Sequence, residues 1–311
     1  MKRSLVGVLV VLLAATACGK EGSLAAAPSP ARASYPMSVS SVGASVTIPA
    51  RPRRIVSLSA TATQMVFAVG AGPQVVAVDR YSTYPKSAPR TKLSGFEPNV
   101  EAIEAYRPDL LLIESDQGGL VKSMTALHVP VLVLPAAKDL DGTYAQIREL
   151  GRVTDHVAGA SSVIASMRRR IAALVASVPS KAGLRVYHEL DQTYYTATSA
   201  TFIGQIYSMF GLKNVADAAG VTKNSGYPQL SSEYIVSADP QLIVLADTVC
   251  CHQSAATVAS RPGWARIDAV KHGEVIAVDD SLASEWGPRI VDFISLIART
   301  VRQAEATYRT T

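Results

Sequence analysis

The sequence contains few of the residues and motifs from which catalytic and metal sites are built. Its 311 residues include three cysteines and five scattered histidines. It has no Gly-x-Ser-x-Gly, phosphate-binding P-loop or His-Glu-x-x-His motif. Gly70-Ala71-Gly72 lacks the third glycine of a dinucleotide fingerprint and predicts a helix end instead. We therefore expect no enzyme, no catalytic residues, no resident cofactor and no metal site.

The sequence also lacks a basic surface pattern. Thirty Lys and Arg residues against 25 Asp and Glu give a formal charge of +5, and one basic run stands out, Arg168-Arg169-Arg170. That run falls inside a predicted helix, where it indicates a solvated face, so a nucleic-acid partner is not expected. With 48% hydrophobic and 18% charged residues, the chain is long and apolar enough for two globular domains.

The N-terminus has the pattern of an export signal. Lys2-Arg3 precedes an apolar stretch, Leu5 to Ala15, that is too short to span a bilayer as a helix. Ala15-Thr16-Ala17-Cys18 then resembles a bacterial lipobox, although Leu is usual at its first position. We expect a signal peptide over 1–17, lipidation of Cys18 and a flexible tether over 18–36, which anchor the protein to the outer face of the bacterial cytoplasmic membrane. A plain secretory leader with an incidental cysteine is the alternative.

Two adjacent cysteines, Cys250 and Cys251, remain after the leader. In an exported protein they can form a vicinal disulfide, stay as two thiols, or bind a metal together with His252. Consecutive ligands suit a tetrahedral metal site poorly, so a loop disulfide or free thiols are favoured. His188 beside Glu189 is the other candidate metal-binding pair. A hydrogen-bonded histidine at a strand end is the favoured interpretation there.

A helix–turn–strand unit occurs twice. Each copy has a glutamate, a proline seven residues later and then an apolar run: Glu101, Pro108 and Leu110–Ile113 in the first, Glu233, Pro240 and Leu242–Leu245 in the second. Proline favours a turn here because it donates no backbone hydrogen bond and restricts the residue before it. A short apolar run without polar alternation is typical of a strand covered on both faces. The repeat predicts two similar halves.

The rest of the pattern alternates strands with helices, which predicts parallel α/β architecture. Strands are predicted at 46–49, 54–58, 75–78, 110–113, 129–134, 185–190, 214–216, 242–245 and 274–278, and helices include 120–127, 143–150, 202–210 and 288–308. Apolar residues spaced by three and four over 154–178 predict one long helix between the halves. We therefore expect two Rossmann-like lobes with mostly parallel sheets, 50–153 and 183–311, joined by a single long α-helix, with a ligand cleft between the lobes.

Five short stretches resemble one known family. They are Ile55-Val56-Ser57-Leu58, Asn99-Val100-Glu101, Tyr227-Pro228-Gln229-Leu230-Ser231-Ser232-Glu233, Arg261-Pro262-Gly263-Trp264 and Trp286-Gly287-Pro288-Arg289-Ile290. They are similar to segments of the substrate-binding proteins of ABC importers for cobalamin and ferric siderophores, of the helical-backbone type. The resemblance covers roughly residues 50–305.

This resemblance implies a monomeric, non-enzymatic receptor for a corrinoid such as cobalamin or a ferric siderophore, in which Co or Fe belongs to the ligand. Its partner would be an ABC permease dimer with its ATPase. Haem, a bare transition-metal ion, and a redox or sensory lipoprotein built on Cys250-Cys251 are the alternatives. In the family a glutamate on each lobe docks on the permease, and by position these are Glu101 and Glu233. The alternative is that both are ordinary helix-start carboxylates, favoured by the helix dipole.

The resemblance also assigns ligand contacts. By position, Tyr81, Phe96, Tyr195 and Tyr227 match aromatic contacts of a cobalamin-binding relative, and the alternative is that each is a rim or core aromatic. Glu114 stands where that relative has a Trp, and Glu285 stands where it has a ligand-contacting Arg. Buried carboxylates need a cation or donors, so these two departures imply a cationic or donor-rich ligand, unless Glu285 instead pairs with Arg289. Trp286 is a stacking wall of the cleft or a lobe-interface aromatic.

Overall fold

The computed structural model describes residues 33–178, 183–219 and 226–310. The predicted signal peptide, Cys18 and most of the predicted tether lie outside these ranges. Within them, no helix combines the length and apolar character that crossing a bilayer requires.

The described chain begins with a segment that folds onto the first lobe. The Tyr35 hydroxyl donates a hydrogen bond to the Val153 carbonyl, 2.7 Å away. Strands β1 (Met37–Ser41) and β2 (Ala44–Ile48) then pair as an antiparallel hairpin. The predicted lead-in strand at 46–49 is thus the second strand of a hairpin, and its partner was not predicted.

The N-terminal lobe is a four-stranded parallel sheet with helices between the strands. Its strands are β3 (Ile55–Ser57), β4 (Val75–Val78), β5 (Leu110–Ile113) and β6 (Val131–Val133), in the order β4-β3-β5-β6. Its helices are α1 (Ala60–Ala68), α2 (Val100–Glu104), α3 (Leu120–Ala126) and α4 (Leu140–Val153). All four residues of β5 are buried, as the unbroken apolar run predicts for a central strand.

One long helix, α5 (Val157–Ala176), follows α4 and leads into the second lobe. It buries the predicted apolar face at Ala160, Ile164, Met167 and Ile171. A Cβ at Gly159 would overlap the Val69 carbonyl at the end of α1, so glycine lets the helix approach the first lobe closely. At 1.5 Å per residue this helix is roughly 30 Å long. The predicted linker helix is confirmed, with slightly narrower bounds.

The C-terminal lobe repeats the sheet of the first lobe. Its strands are β7 (Arg185–Glu189), β8 (Lys213–Asn214), β9 (Leu242–Leu245) and β10 (Val275–Ala277), all parallel, in the order β10-β9-β7-β8. Its helices are α6 (Phe202–Met209), α7 (Ser232–Ala238), α8 (Ala255–Ala259), α9 (Asp268–Lys271), α10 (Asp280–Ser284) and α11 (Ile290–Thr310). In both lobes the first strand lies between the second and the third. The predicted two-lobed parallel α/β fold is therefore confirmed.

The duplication extends to an arginine that closes the turn before each proline. Arg54 Nε donates to the carbonyl of Arg107, 3.0 Å away, and Arg185 Nε donates to that of Asp239, 2.8 Å away. Arg107 and Asp239 both precede a proline, and both have left-handed backbone conformations with φ of 46° and 47°. Arg54 directly precedes β3 and Arg185 is the first residue of β7, so each arginine fixes the helix–proline–strand unit to the first strand of its sheet.

Arg261 and Trp264 of the motif Arg261-Pro262-Gly263-Trp264 pack into the C-terminal lobe. The Arg261 guanidinium donates to both carboxylate oxygens of Glu189, each 2.6 Å away, and it lies 4.5 Å from the Trp264 ring centroid. The fully buried Trp264 donates from its indole nitrogen to the Ser232 hydroxyl at 2.8 Å. A bidentate, stacked arginine offsets the cost of burying Glu189.

His188 and Glu189 do not share a site. His188 is buried, with Nδ1 2.6 Å from the Tyr207 hydroxyl, and burial lowers its pKa to about 3. Glu189 lies on the other face of β7 with Arg261. The interpretation of His188 as a hydrogen-bonded core histidine is confirmed. Over the three described ranges, no group of three or more His, Cys, Asp or Glu residues has the arrangement of a metal site.

A second carboxyl group, Asp247, is buried beside this ion pair. It follows β9, has no solvent exposure, and neither carboxylate oxygen has a hydrogen-bond partner among the described residues. Burial, and then the charge of Glu189, raise the pKa of Asp247 above its ordinary value. Arg261 opposes this rise but is already bound to Glu189.

We predict that Asp247→Asn makes the stability of the fold less sensitive to a rise in pH from acid through neutral. Because the pKa of Asp247 is raised in the folded state, the wild type loses stability as pH rises from acid through that pKa, whereas Asn stays neutral. The variant should exceed the wild type by about 1–3 kcal/mol at pH 8, with a smaller difference at pH 5. Urea unfolding at both pH values measures this. Exposed Asp141→Asn is the control, and equal destabilisation by Asp247→Asn at both pH values would contradict the prediction.

Candidate functional site

A cavity of about 490 Å³ lies between the two lobes. Its lining residues are Leu58, Ser59, Ala60, Thr61, Asp79, Tyr81, Gly95, Phe96, Glu114 and Ser115 from the first lobe, and Asp280, Ser281, Ser284, Glu285 and Trp286 from the second. Leu58, Asp79 and Glu114 each directly follow a strand, β3, β4 and β5 respectively. The cavity therefore lies at the carboxyl ends of parallel strands, where open α/β sheets usually bind ligands.

Five of the seven predicted ligand contacts line this cavity: Tyr81, Phe96, Glu114, Glu285 and Trp286. Tyr195 and Tyr227 are not among its lining residues. They lie in two neighbouring segments of the second lobe, where Tyr195 forms a bridge with Gln229. Tyr227 is 38% exposed, so it remains accessible to a ligand that extends beyond the cavity.

Tyr81 and Phe96 form an aromatic wall. Their rings make an edge-to-face contact with centroids 5.1 Å apart. They are 43% and 71% exposed, which is unusual for large apolar side chains that already contact each other. A flat apolar ligand face can therefore cover this pair at little cost in side-chain entropy.

The cavity lining is also acidic, because it contains four carboxyl groups: Asp79, Glu114, Asp280 and Glu285. No lysine, arginine or histidine is among the described residues that line the cavity. Burial raises the pKa of Glu114, and the charge of Asp79 adds to this rise. Burial raises the pKa of Glu285 to about 7, although Arg289 opposes the rise. The cavity thus concentrates negative charge without a basic group of its own.

Asp79 is the carboxyl group most firmly held by its own lobe. It is 2% exposed and accepts hydrogen bonds from the Ser82 backbone nitrogen at 2.9 Å and the Ser82 hydroxyl at 2.7 Å. Burial nevertheless raises its pKa, because these donors only partly replace water. Asp79 therefore acts on Glu114 and Glu285 mainly through its charge.

Glu285 connects the lobes. Its carboxylate accepts a hydrogen bond from the Gln64 side-chain amide of α1. Arg289 instead lies over the Tyr84 ring, 4.5 Å from its centroid, and within the described chain Glu285 forms no ion pair. The structure therefore does not contain the alternative arrangement, a direct Glu285–Arg289 ion pair.

Trp286 both lines the cavity and lies at the interface between the lobes. It lines the cavity and is 8% exposed, and its indole nitrogen donates to Gln146 of α4 at 3.0 Å, across the lobe interface. A Cβ at Gly287 would lie 2.6 Å from the Gln64 side-chain oxygen. The Trp286-Gly287 pair thus suits close packing of the second lobe against α1 and α4.

Asp280, Ser281 and Ser284 of α10 line the cavity but were not predicted to do so. Asp280 follows β10 by three residues, and Asp79 and Glu114 also stand just after strands. A carboxylate soon after a predicted strand was therefore the available signal. It was missed because a single acidic residue there is also a common helix start.

Glu101 and Glu233 occupy equivalent positions on the surface of the two lobes. Each is exposed in the first turn of a short helix, α2 or α7. Asn99 and Ser231 cap these helices by accepting from backbone nitrogens at 2.8 and 3.1 Å. Neither glutamate is in an ion pair within the described residues.

The adjacent cysteines Cys250 and Cys251 are joined as a disulfide in the loop after β9. Of the three arrangements considered, the structure contains the vicinal disulfide. Cys250 is exposed and Cys251 is half-buried.

Comparisons with known proteins agree with this architecture. The family model described as periplasmic binding protein matches residues 55–282. A cobalamin-binding protein of Halobacterium salinarum is 33% identical over 97% of this chain and 84% of its own length. The uncharacterized ABC transporter substrate-binding lipoprotein YvrC of Bacillus subtilis is 29% identical over 82% of both chains. The crystal structure of the periplasmic vitamin B12-binding protein BtuF of Vibrio cholerae has a TM-score of 0.66 at 22% identity and covers 82% of this chain and 98% of its own. The chain therefore belongs to the periplasmic binding protein family.

Proposed function

We propose that the protein is an extracytoplasmic receptor that binds a metal-chelate ligand, a corrinoid or a ferric siderophore complex, and delivers it to an ABC importer. The observation that carries this proposal is the cavity between the lobes, which combines the exposed Tyr81–Phe96 wall with four carboxyl groups. The names of the relatives, a cobalamin-binding protein and an ABC transporter substrate-binding lipoprotein, support the same ligand class and transport role.

The charge of the cavity favours some metal chelates as ligands over others. A carboxylate that loses water on ligand binding needs a cation or several donors in return. Burial raises the pKa of Glu114 and of Glu285, and the described residues that line the cavity include no basic side chain to replace water. We therefore propose a ligand with a positive charge or a dense set of hydrogen-bond donors at its edge and an apolar face against Tyr81 and Phe96. Haem fits less well, because its propionates are anionic.

The proposal includes a lipid anchor and a docking surface. Cys18 would carry the lipid, and a relative is named as a lipoprotein. Glu101 and Glu233 would contact basic pockets of the permease, one from each lobe. Their equivalent helix positions and their exposure support this role.

We predict that cationic chelates bind more tightly than anionic ones. Calorimetric titration of the chain without its leader compares cobinamide and a ferrioxamine carrying a free ammonium group with cobalamin, an anionic ferric catecholate and haem. Glu114→Gln and Glu285→Gln should each weaken the affinity for the cationic chelate by about tenfold, which is ~1.4 kcal/mol of binding free energy. Exposed Glu104→Gln is the control. Tightest binding of an anionic chelate would refute the charge argument, and binding of no chelate would refute the ligand class.

The affinity for a cationic chelate should also depend on pH through Glu285. In the free protein its pKa is about 7, and a bound cation would lower it, so binding releases a proton below pH 7. Affinity should therefore rise from pH 5.5 to pH 8 and then level off. Titrations in buffers of different ionisation enthalpy measure the released proton. A pH profile that is as steep in Glu285→Gln as in the wild type would exclude Glu285 as the titrating group.

We predict that Glu101→Ala and Glu233→Ala impair transport and leave ligand binding intact. Both side chains are exposed and neither is among the residues that line the cavity, so ligand affinity should stay within about twofold. Uptake, and ligand-dependent stimulation of the transporter ATPase, should fall about tenfold or more in the double variant, because docking loses two charged contacts. Glu104→Ala, on the same helix as Glu101, is the matched control. Normal uptake by the double variant would rule out the docking assignment.

A further inference from the structure

The cavity contacts the disulfide loop through one side chain. Asp280, the first residue of α10, lines the cavity. Its carboxylate accepts hydrogen bonds from the backbone nitrogens of Val249 and Cys250, at 3.0 and 2.9 Å. The Thr248 hydroxyl lies 3.3 Å from the same carboxylate. All of these donors belong to the loop that contains Cys250–Cys251.

The loop itself is closed by contacts around the disulfide. The Cys251 and Gln253 backbone nitrogens both donate to the Asp247 carbonyl, at 3.2 and 3.3 Å. Gln253 also donates from its side-chain amide to the Cys251 carbonyl at 3.1 Å, and it accepts from Arg261 at 2.7 Å. The loop therefore rests on the buried Arg261–Glu189 pair at one end and on Asp280 at the other.

A vicinal disulfide restricts the peptide unit that it encloses. The ring contains the Cys250–Cys251 peptide bond and both Cα atoms, so ψ of Cys250 and φ of Cys251 have few alternatives while the ring is closed. The two thiols of the reduced form are free to separate, and the chain regains conformational freedom. In the oxidised form, the Cys250 nitrogen, which is bonded to a Cα atom of the ring, donates to Asp280, and the Val249 and Cys250 backbone donors offset the charge of that carboxylate.

We infer that Cys250–Cys251 is a redox-sensitive element that sets, through Asp280, how much negative charge the cavity presents to its ligand. In the oxidised protein Asp280 is occupied by the loop. In the reduced protein the loop releases it, and the carboxylate can pair with a cationic group of the ligand. Asp280 is then a specificity-determining residue of the cavity, and the disulfide controls its availability. The effect on ligand affinity rests on the proposed function.

The chemistry requires a dithiol reductant, of the kind that thiol–disulfide oxidoreductases carry. One thiolate of the reductant attacks a sulfur of the disulfide and forms a mixed disulfide, and the released cysteine thiolate takes up a proton. The second thiol of the reductant then displaces the other cysteine, which also takes up a proton, so that the reductant leaves as a disulfide. Two electrons and two protons are transferred in all. The exposure of Cys250 and of neighbouring Val249, which is 62% exposed, gives a reductant access.

The first test needs no ligand. The full chain, purified in detergent, is equilibrated with mixtures of reduced and oxidised dithiothreitol, and the fraction of Cys250–Cys251 disulfide is measured by thiol labelling and mass spectrometry. Asp280→Asn removes the charged acceptor that holds the oxidised loop, so the equilibrium constant should shift about five- to tenfold toward the thiols. Exposed Glu104→Gln, on α2 of the other lobe, should keep the wild-type value. An unchanged equilibrium in Asp280→Asn would overturn the inference.

The second test measures ligand binding in both redox states. Cobinamide is titrated into the oxidised chain, the dithiothreitol-reduced chain and Cys250→Ser/Cys251→Ser. Reduction should tighten binding about fivefold or more, the double serine variant should match the reduced protein, and Asp280→Asn should remove the difference. Equal affinity in the two redox states would overturn the inference. If cobinamide binds in neither state, the proposed preference for a cationic chelate is wrong. The dithiothreitol equilibrium still decides whether Asp280 and the disulfide are coupled.

Discussion

The hydrogen bond between Gln64 and Glu285 joins the two lobes at the cavity. Gln64 is buried on α1, and its amide nitrogen binds the Glu285 carboxylate from the other lobe. Burial of Glu285 raises its pKa to about 7. A ligand cation that approaches Glu285 must therefore share it with Gln64. The contact between the lobes thus uses a carboxylate that also lines the cavity.

The strands were the most predictable part of the fold. The runs 75–78, 110–113 and 242–245 match β4, β5 and β9 without change, because a strand covered on both faces is apolar along its whole length. The predicted strand at 214–216 is wrong beyond Asn214. Its side chain accepts from the Ala216 nitrogen, and the chain continues as a 3₁₀ helix over Val215–Ala219. Helix α4 starts at Leu140 rather than 143, because Asp139 caps it.

The site was less predictable than the fold, because its residues come from segments far apart in sequence. Glu114 and Glu285 attracted attention as carboxylates where relatives carry other residues, and both line the cavity. Asp280 gave no such signal. Its importance comes from contacts with residues 248–250, about thirty positions earlier, which no periodicity or motif encodes. The Gln146–Trp286 hydrogen bond likewise joins positions 140 residues apart, so sequence could name Trp286 but could not choose between its roles.

The two lobes have the same sheet order but use its carboxyl edge differently. In the first lobe, Asp79 and Glu114 follow β4 and β5 and line the cavity. In the second, Glu189 and Asp247, at the ends of β7 and β9, are buried with Arg261 under the disulfide loop. That lobe therefore lines the cavity through α10 and the Glu285-Trp286 segment after it. Because α10 is held by the loop through Asp280, one lobe of the duplicated fold places its carboxylates directly after its strands, and the other has a carboxylate held by the loop that contains the disulfide.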